Sequence, residues 1–181
     1  MPGTALIVVD MLNPYDHEDA EPLAASVREA LPNIVALRDR AAAAGDVLLL
    51  YSNDNYEHWE QTRDDLVAKA LEGEHPELVE PIVPPSDVPF LPKGRHSIFY
   101  ETPVAHVLQT EGVKRVVLCG QVTEQCILYS ALDAVLRGYE IEIPTDAVAH
   151  VVPEFAEAAL GMMEKNLHAR LGSAEQVDLP G

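Results

Sequence analysis

The chain has 181 residues, 48% of them hydrophobic and 23% charged, with a formal net charge of −18. This is a globular composition, long enough for one cored domain over 1–181. So negative a balance excludes a nucleic-acid surface, which needs clustered Lys and Arg, and disfavours an anionic membrane.

The opening run "MPGTALIVVD" has no basic flank and closes on Asp10, as for a buried strand rather than a signal peptide. Residues 4–10 are the continuous apolar run of a parallel strand buried on both faces. From 21 to 44, Leu23, Val27, Leu31, Ile34, Val35 and Leu37 recur at helical spacing. Pro32 predicts a short helix followed by a longer one, or a kink, and Gly45 ends the run. Residues 46–54, "DVLLLYSND", predict a second buried strand, and 58–72 a helix. The Pro-rich segment 73–92 lacks a period and predicts a long ordered loop with a short strand near 88–91. A helix over 102–112 with Pro103 in its first position follows, then a strand over 114–120. A helix over 123–137 closed by Gly138 and a strand within "YEIEIPTDA" come next. The last long helix is 153–167, with Phe155, Ala158, Ala159, Met162 and Met163 on its apolar face, and "ARLG" forms a short final strand. The alternation predicts an α/β domain with a mainly parallel sheet. No apolar stretch approaches the roughly 20 residues that span a bilayer. The two cysteines, Cys119 and Cys126, make no disulfide framework and are expected reduced, in a cytoplasmic protein.

In such sheets ligands gather at the carboxyl ends of the strands. Three chemically loaded residues fall there. Asp10 ends the first strand; alone, such a carboxylate usually caps a loop. Lys93 lies in "LPKGRHSIFYET", whose apolar and aromatic setting can hold an ammonium that would otherwise be solvated. Cys126 opens the helix after "VVLCG" and the polar turn "QVTEQ". A free cysteine is as often packing as functional, but a helix N-terminus favours a thiolate and offers N–H groups to an oxyanion. Cys119, inside its apolar strand, reads as packing. Thiol, carboxylate and ammonium form a coherent set: the carboxylate takes the thiol proton and returns it to a leaving amine, and the lysine favours the ionised states.

With these residues in this order the chain resembles the isochorismatase-like cysteine hydrolases, which include nicotinamidases and N-carbamoylsarcosine amidase. "LIVVDML" is similar to the first strand with its catalytic aspartate. "KGRHSIFYETPV" is similar to the lysine motif, with Ser97, Phe99 and Thr102 at the expected offsets, and "GQVTEQC" to the nucleophile motif, with Gly120, Thr123 and Cys126 in register. "ALDAVLRGYEIEIPTDAVA" resembles the region that follows. The resemblance implies a three-layer α/β/α, Rossmann-like fold whose six-stranded parallel sheet has helices on both faces. It implies Asp10 as general acid–base, Lys93 as its partner and Cys126 as nucleophile. A cis peptide at Gln121–Val122 would aim the N–H groups of Val122 and Cys126 at the oxyanion. The implied activity is hydrolysis of the C–N bond of a small amide, lactam or ureido compound through a thioester, in a homo-oligomer without a cofactor.

Two departures narrow the reading. Leu12 stands where the family often has a glutamine, which removes a hydrogen bond to a substrate amide. Nicotinamidases carry an Asp-x-His pair and a further His that bind a metal; here Asp54 and His58 in "YSNDNYEHWEQ" miss that spacing, so loop residues rather than ligands are expected. Pocket candidates are Asn13, Tyr15, Asn53, Tyr56, Trp59, His96 and Tyr129, with Asn53, Trp59 and Tyr129 foremost. The rivals are enol-ether hydrolysis of isochorismate, whose specialised members lack the cysteine, and a binding protein that retains the fold without activity.

Overall fold

The structure, a computed structural model, describes residues 2–56, 58 and 60–179. In chain order it contains β1 (Thr4–Val9), α1 (Ala20–Ala43), β2 (Val47–Asp54), α2 (Arg63–Leu71), α3 (Pro76–Val79), β3 (Phe90–Lys93), α4 (Val104–Thr110) and β4 (Arg115–Gln121). A π-helical turn (Thr123–Ile127) then runs into α5 (Leu128–Leu136), followed by β5 (Glu140–Pro144), β6 (Val148–Ala149), α6 (Pro153–Leu167) and β7 (Arg170–Gly172). Six strands lie in the order β3-β2-β1-β4-β5-β7, and the short β6 also pairs with β4. All of these pairings are parallel.

The two-residue period of the strands divides the core into two layers. Leu6 and Val8 of β1, with Val117 and Cys119 of β4, pack toward α1, α2 and α3. Ala5, Ile7 and Val9, with Val116 and Leu118, pack toward α4, α5 and α6. Burial on both faces is why β1 reads as an unbroken apolar run. The strand order reverses between β1 and β4, and in open α/β sheets the crevice at that reversal is the natural ligand site. Among the described residues no helix is long and apolar enough to cross a membrane.

Several boundaries differ from the sequence expectation. α1 runs through Pro32 as one helix rather than two; the proline is exposed while Leu31 and Ile34 on either side are buried. The helix expected from residue 58 begins at Arg63, where Thr62 and Asp65 form a reciprocal capping box. The segment 73–92 is not a plain loop: α3 and a 3₁₀ turn, Glu80–Ile82, bury Leu78, Val79 and Ile82 in the α1 layer. α6 occupies the expected span, but its buried face is Ala156, Ala159 and Met163; Phe155, Ala158 and Met162 are exposed.

Candidate active site

Gly120 lets the two central strand ends meet. It is in register with Val9, and its φ is +113°. A Cβ there would lie 2.2 Å from the Val9 carbonyl oxygen, so no other residue fits. Asp10 follows Val9 and leaves the strand in the left-handed region, at φ 55°. Its N–H donates to the Ser52 carbonyl at 2.9 Å, and its own carbonyl accepts from Gln121 Nε2 at 2.5 Å. The Gln121–Val122 peptide is cis. Beyond it, Thr123 Oγ1 donates to the Ala149 carbonyl at 2.9 Å. Glu124 Oε1 accepts the N–H groups of Val151 and Val152 at 3.0 and 2.8 Å, at the start of α6. The turn that carries Cys126 is thereby tied to β1, β6 and α6.

Lys93 arrives from the other side. It ends β3 in register with Asp54, which ends β2. The loop after it is pinned to α5, with Ser97 Oγ donating to Asp133 Oδ2 at 2.5 Å and Ile98 N–H to Ser130 Oγ at 3.1 Å. The lysine side chain is fully buried, and its Nζ lies 2.8 Å from Asp10 Oδ2 and 3.5 Å from Asp54 Oδ2. The same Nζ is 3.5 Å from Cys126 Sγ. Asp10 Oδ1 accepts the Asp54 N–H at 2.7 Å. A buried ammonium is tolerable only among such partners.

The electrostatics follow from burial and charge together. Burial disfavours the Lys93 ammonium, but its acidic neighbours, Asp10 foremost and then Asp54, outweigh it and raise the lysine pKa. Burial and then the Asp10 charge push the Cys126 thiol well above its ordinary value, against the opposing pull of Lys93. Lys93 lowers this pKa, as its charge requires, but desolvation is the larger influence. Cys119 has no such company: burial alone pushes it up to about 12, and its Sγ lies 3.8 Å from the Ile7 carbonyl.

The remaining candidates separate. Asn53, expected in the pocket, is buried with its amide engaged: Oδ1 accepts the Leu12 N–H at 2.8 Å, and Nδ2 donates to the carbonyls of Leu12 and Asp54 at 3.2 and 3.0 Å. It clamps the loop after β1. Leu12 itself points into the α1 layer. Tyr15 is buried in the same layer, with its ring against His75, and Asn13 Oδ1 accepts the Tyr15 N–H. Tyr56 donates its hydroxyl to the Leu12 carbonyl at 3.2 Å. Tyr129 is half exposed, its ring 5.5 Å from that of His96, whose Nδ1 is 3.7 Å from Cys126 Sγ. Val122 precedes the π turn. Trp59 lies outside the described residues. Sequence reasoning placed Asp54 only as a metal candidate and missed its contact with Lys93. No local sequence signal gives it, because it depends on β2 and β3 being neighbours in register.

The isochorismatase domain family matches residues 4–176 of this chain. The isochorismatase family protein YaaI of Bacillus subtilis is 33% identical over 174 residues, covering 96% of this chain and 95% of that protein. The ureidoacrylate amidohydrolase RutB of an Enterobacter species is 27% identical, over 86% of this chain and 79% of that protein. Among solved structures, the pyrazinamidase of Pyrococcus horikoshii in complex with zinc is similar at a TM-score of 0.74 and 28% identity, covering 95% of this chain and 99% of that one.

Proposed function

Because the chain belongs to the isochorismatase family, we propose that it is a cysteine-dependent hydrolase of small amide, lactam or ureido compounds, cleaving their C–N bond through a thioester on Cys126. The observation that carries this reading is the buried convergence of Lys93 Nζ on Asp10 at 2.8 Å and on Cys126 at 3.5 Å. A fully buried lysine held between a carboxylate and a thiol has no evident packing role.

In this reading the raised thiol pKa sets the order of events. Asp10 takes the thiol proton as Sγ attacks the substrate carbonyl, so the thiolate forms only as it reacts. The N–H groups of Val122 and Cys126 receive the developing oxyanion. Collapse of the tetrahedral adduct breaks the C–N bond, and Asp10 returns its proton to the departing amine. Lys93 holds Asp10 in place through these transfers, and Tyr129 stands against His96 beside the sulfur.

Zinc, present in the Pyrococcus relative, does not suit the side chains here. Asp54 faces the Lys93 ammonium at 3.5 Å, Tyr56 donates to the Leu12 carbonyl, and His58 Nδ1 pairs with Glu60 at 3.3 Å. Among the described residues, no three His, Cys, Asp or Glu side chains form a metal-binding group. The test is a screen of small amides, lactams and ureido acids for ammonia or amine release, with intact-mass detection of an acyl adduct on Cys126. Amine release without dependence on Cys126 would overturn the reading.

A further inference from the structure

Cys126 Sγ faces two groups that can accept a proton, and they differ in access. Asp10 is on the buried side, with a side chain 13% exposed and both oxygens engaged, Oδ2 by Lys93 and Oδ1 by the Asp54 N–H. His96 is on the open side. It is exposed, its Nδ1 stands 3.7 Å from Sγ, and its ring leans on Tyr129 at 31° between planes. Together with Tyr100 and Leu132, the pair lines a surface cavity of about 480 Å³. Lys93 contacts the sulfur from the buried side, and His96 joins the cavity to it.

We propose that His96 is a catalytic base of the second half-reaction, taking the proton of the water that hydrolyses the Cys126 thioester. The inference rests on the thioester reading above. When the amine leaves through the open side, water fills the space between the thioester carbon and the imidazole. The water oxygen bonds to that carbon while one of its protons passes to Nδ1. The C–S bond then breaks, its electron pair stays on sulfur, and the imidazolium returns the proton to the thiolate. The acid product leaves, and thiol and neutral imidazole are restored. Asp10 thus serves acylation and His96 deacylation. No co-reactant beyond water is needed.

The experiment uses p-nitrophenyl acetate, whose leaving group requires no protonation, with the wild type, His96→Gln and His96→Ala. The nitrophenolate burst reads acetylation, the steady rate reads deacetylation, and peptide mapping locates the acetyl group. Both variants should keep the burst within a few-fold and lose steady turnover by about 100-fold, with acetyl-Cys126 accumulating. Added imidazole should restore part of the steady rate to His96→Ala. Hydroxylamine, a nucleophile that needs no base, should restore turnover in both variants. Equal slowing of burst and steady rate, or no accumulation of the acetyl enzyme, would overturn the assignment. A wild type that never acetylates Cys126 would instead defeat the thioester reading itself, so the two failures are told apart.

Discussion

The two thiols of this chain lie on opposite faces of one sheet, and both are buried. Cys119, 0% exposed, packs with the α1 layer, and the contact of its sulfur is the Ile7 carbonyl. Cys126, 7% exposed, packs with the α4–α6 layer and meets Lys93 and His96. Burial therefore does not distinguish Cys119 from Cys126, the proposed nucleophile; the charged partners do. The layers differ in the same sense. Among the described residues, the exposed large apolar side chains are Tyr56, Tyr100, Tyr129, Leu132, Leu136, Phe155 and Met162. All but Tyr56 belong to α5, α6 or the segment after Lys93. The α1 face is closed, and the Cys126 face is open.

The strongest way to break this contrast is to remove each thiol in turn. Cys126→Ala should lower hydrolysis at least about 1000-fold, and Asp10→Asn and Lys93→Met should each come close to it. Double variants should be little worse than single ones, because nucleophile and base act as a unit. Cys119→Ala should stay within about twofold of the wild type. Steady-state kinetics on the amide found by the screen checks this, and a Cys126→Ala enzyme of near-normal rate would erase the distinction.

Alkylation sharpens it. After burial, the Asp10 charge is the strongest influence raising the Cys126 thiol, and Lys93 acts in the opposite direction. Asp10→Asn should therefore lower the thiol pKa and speed iodoacetamide labelling of Cys126 at pH 8 by up to about tenfold, while hydrolysis is lost. Lys93→Met should slow labelling. In the wild type, a limiting dose mapped by peptide should mark Cys126 before Cys119. Equal labelling of both, or slower labelling in Asp10→Asn, would count against the charge arrangement.

Much of this was readable from the chain alone, for physical reasons. A strand buried on both faces is apolar throughout, so β1 and β4 announce themselves, and Asp10 and Cys126 stand where those strands stop. Other features depend on packing between distant segments. The Asp54–Lys93 pair exists because β2 and β3 are neighbours in register, which no local pattern declares. The buried face of α6 is ambiguous because Met162 and Met163 are adjacent; packing against α5 and the π turn selects Met163. The π turn itself leaves no period in a five-residue stretch. The late start of α2 is different: Thr62-x-x-Asp65 was there to be read as a cap.

The open face bears on assembly. Phe155 at 63% and Leu136 at 73% exposure are costly to leave in water, and we propose that a second copy of the chain covers part of this layer. Light scattering at micromolar concentration should give at least twice the chain mass. Phe155→Glu or Leu136→Glu should shift the mass toward the monomer. A monomeric wild type would contradict the proposal.

The smallest effect concerns Cys119 and concerns stability rather than rate. In the folded chain its pKa is pushed up to about 12, whereas an unfolded cysteine ionises near 8.5. Below the unfolded value both states hold the proton, and the fold keeps its full stability. Above it the unfolded chain loses a proton that the folded chain retains, so stability falls as pH rises, by about 1.4 kcal/mol per unit at most. Alanine cannot ionise, so Cys119→Ala lacks this loss. At pH 7 the variant should be less stable by about 1 kcal/mol, from the small cavity it leaves. By pH 10 the deficit should have vanished or reversed. Tyr15, Tyr56 and Cys126, all raised as well, titrate alike in both proteins and cancel from the difference. Urea midpoints at the two pH values measure it. A deficit that stays constant with pH would mean that the α1-side thiol ionises as freely as in the unfolded chain, and that this face is less closed than its packing shows.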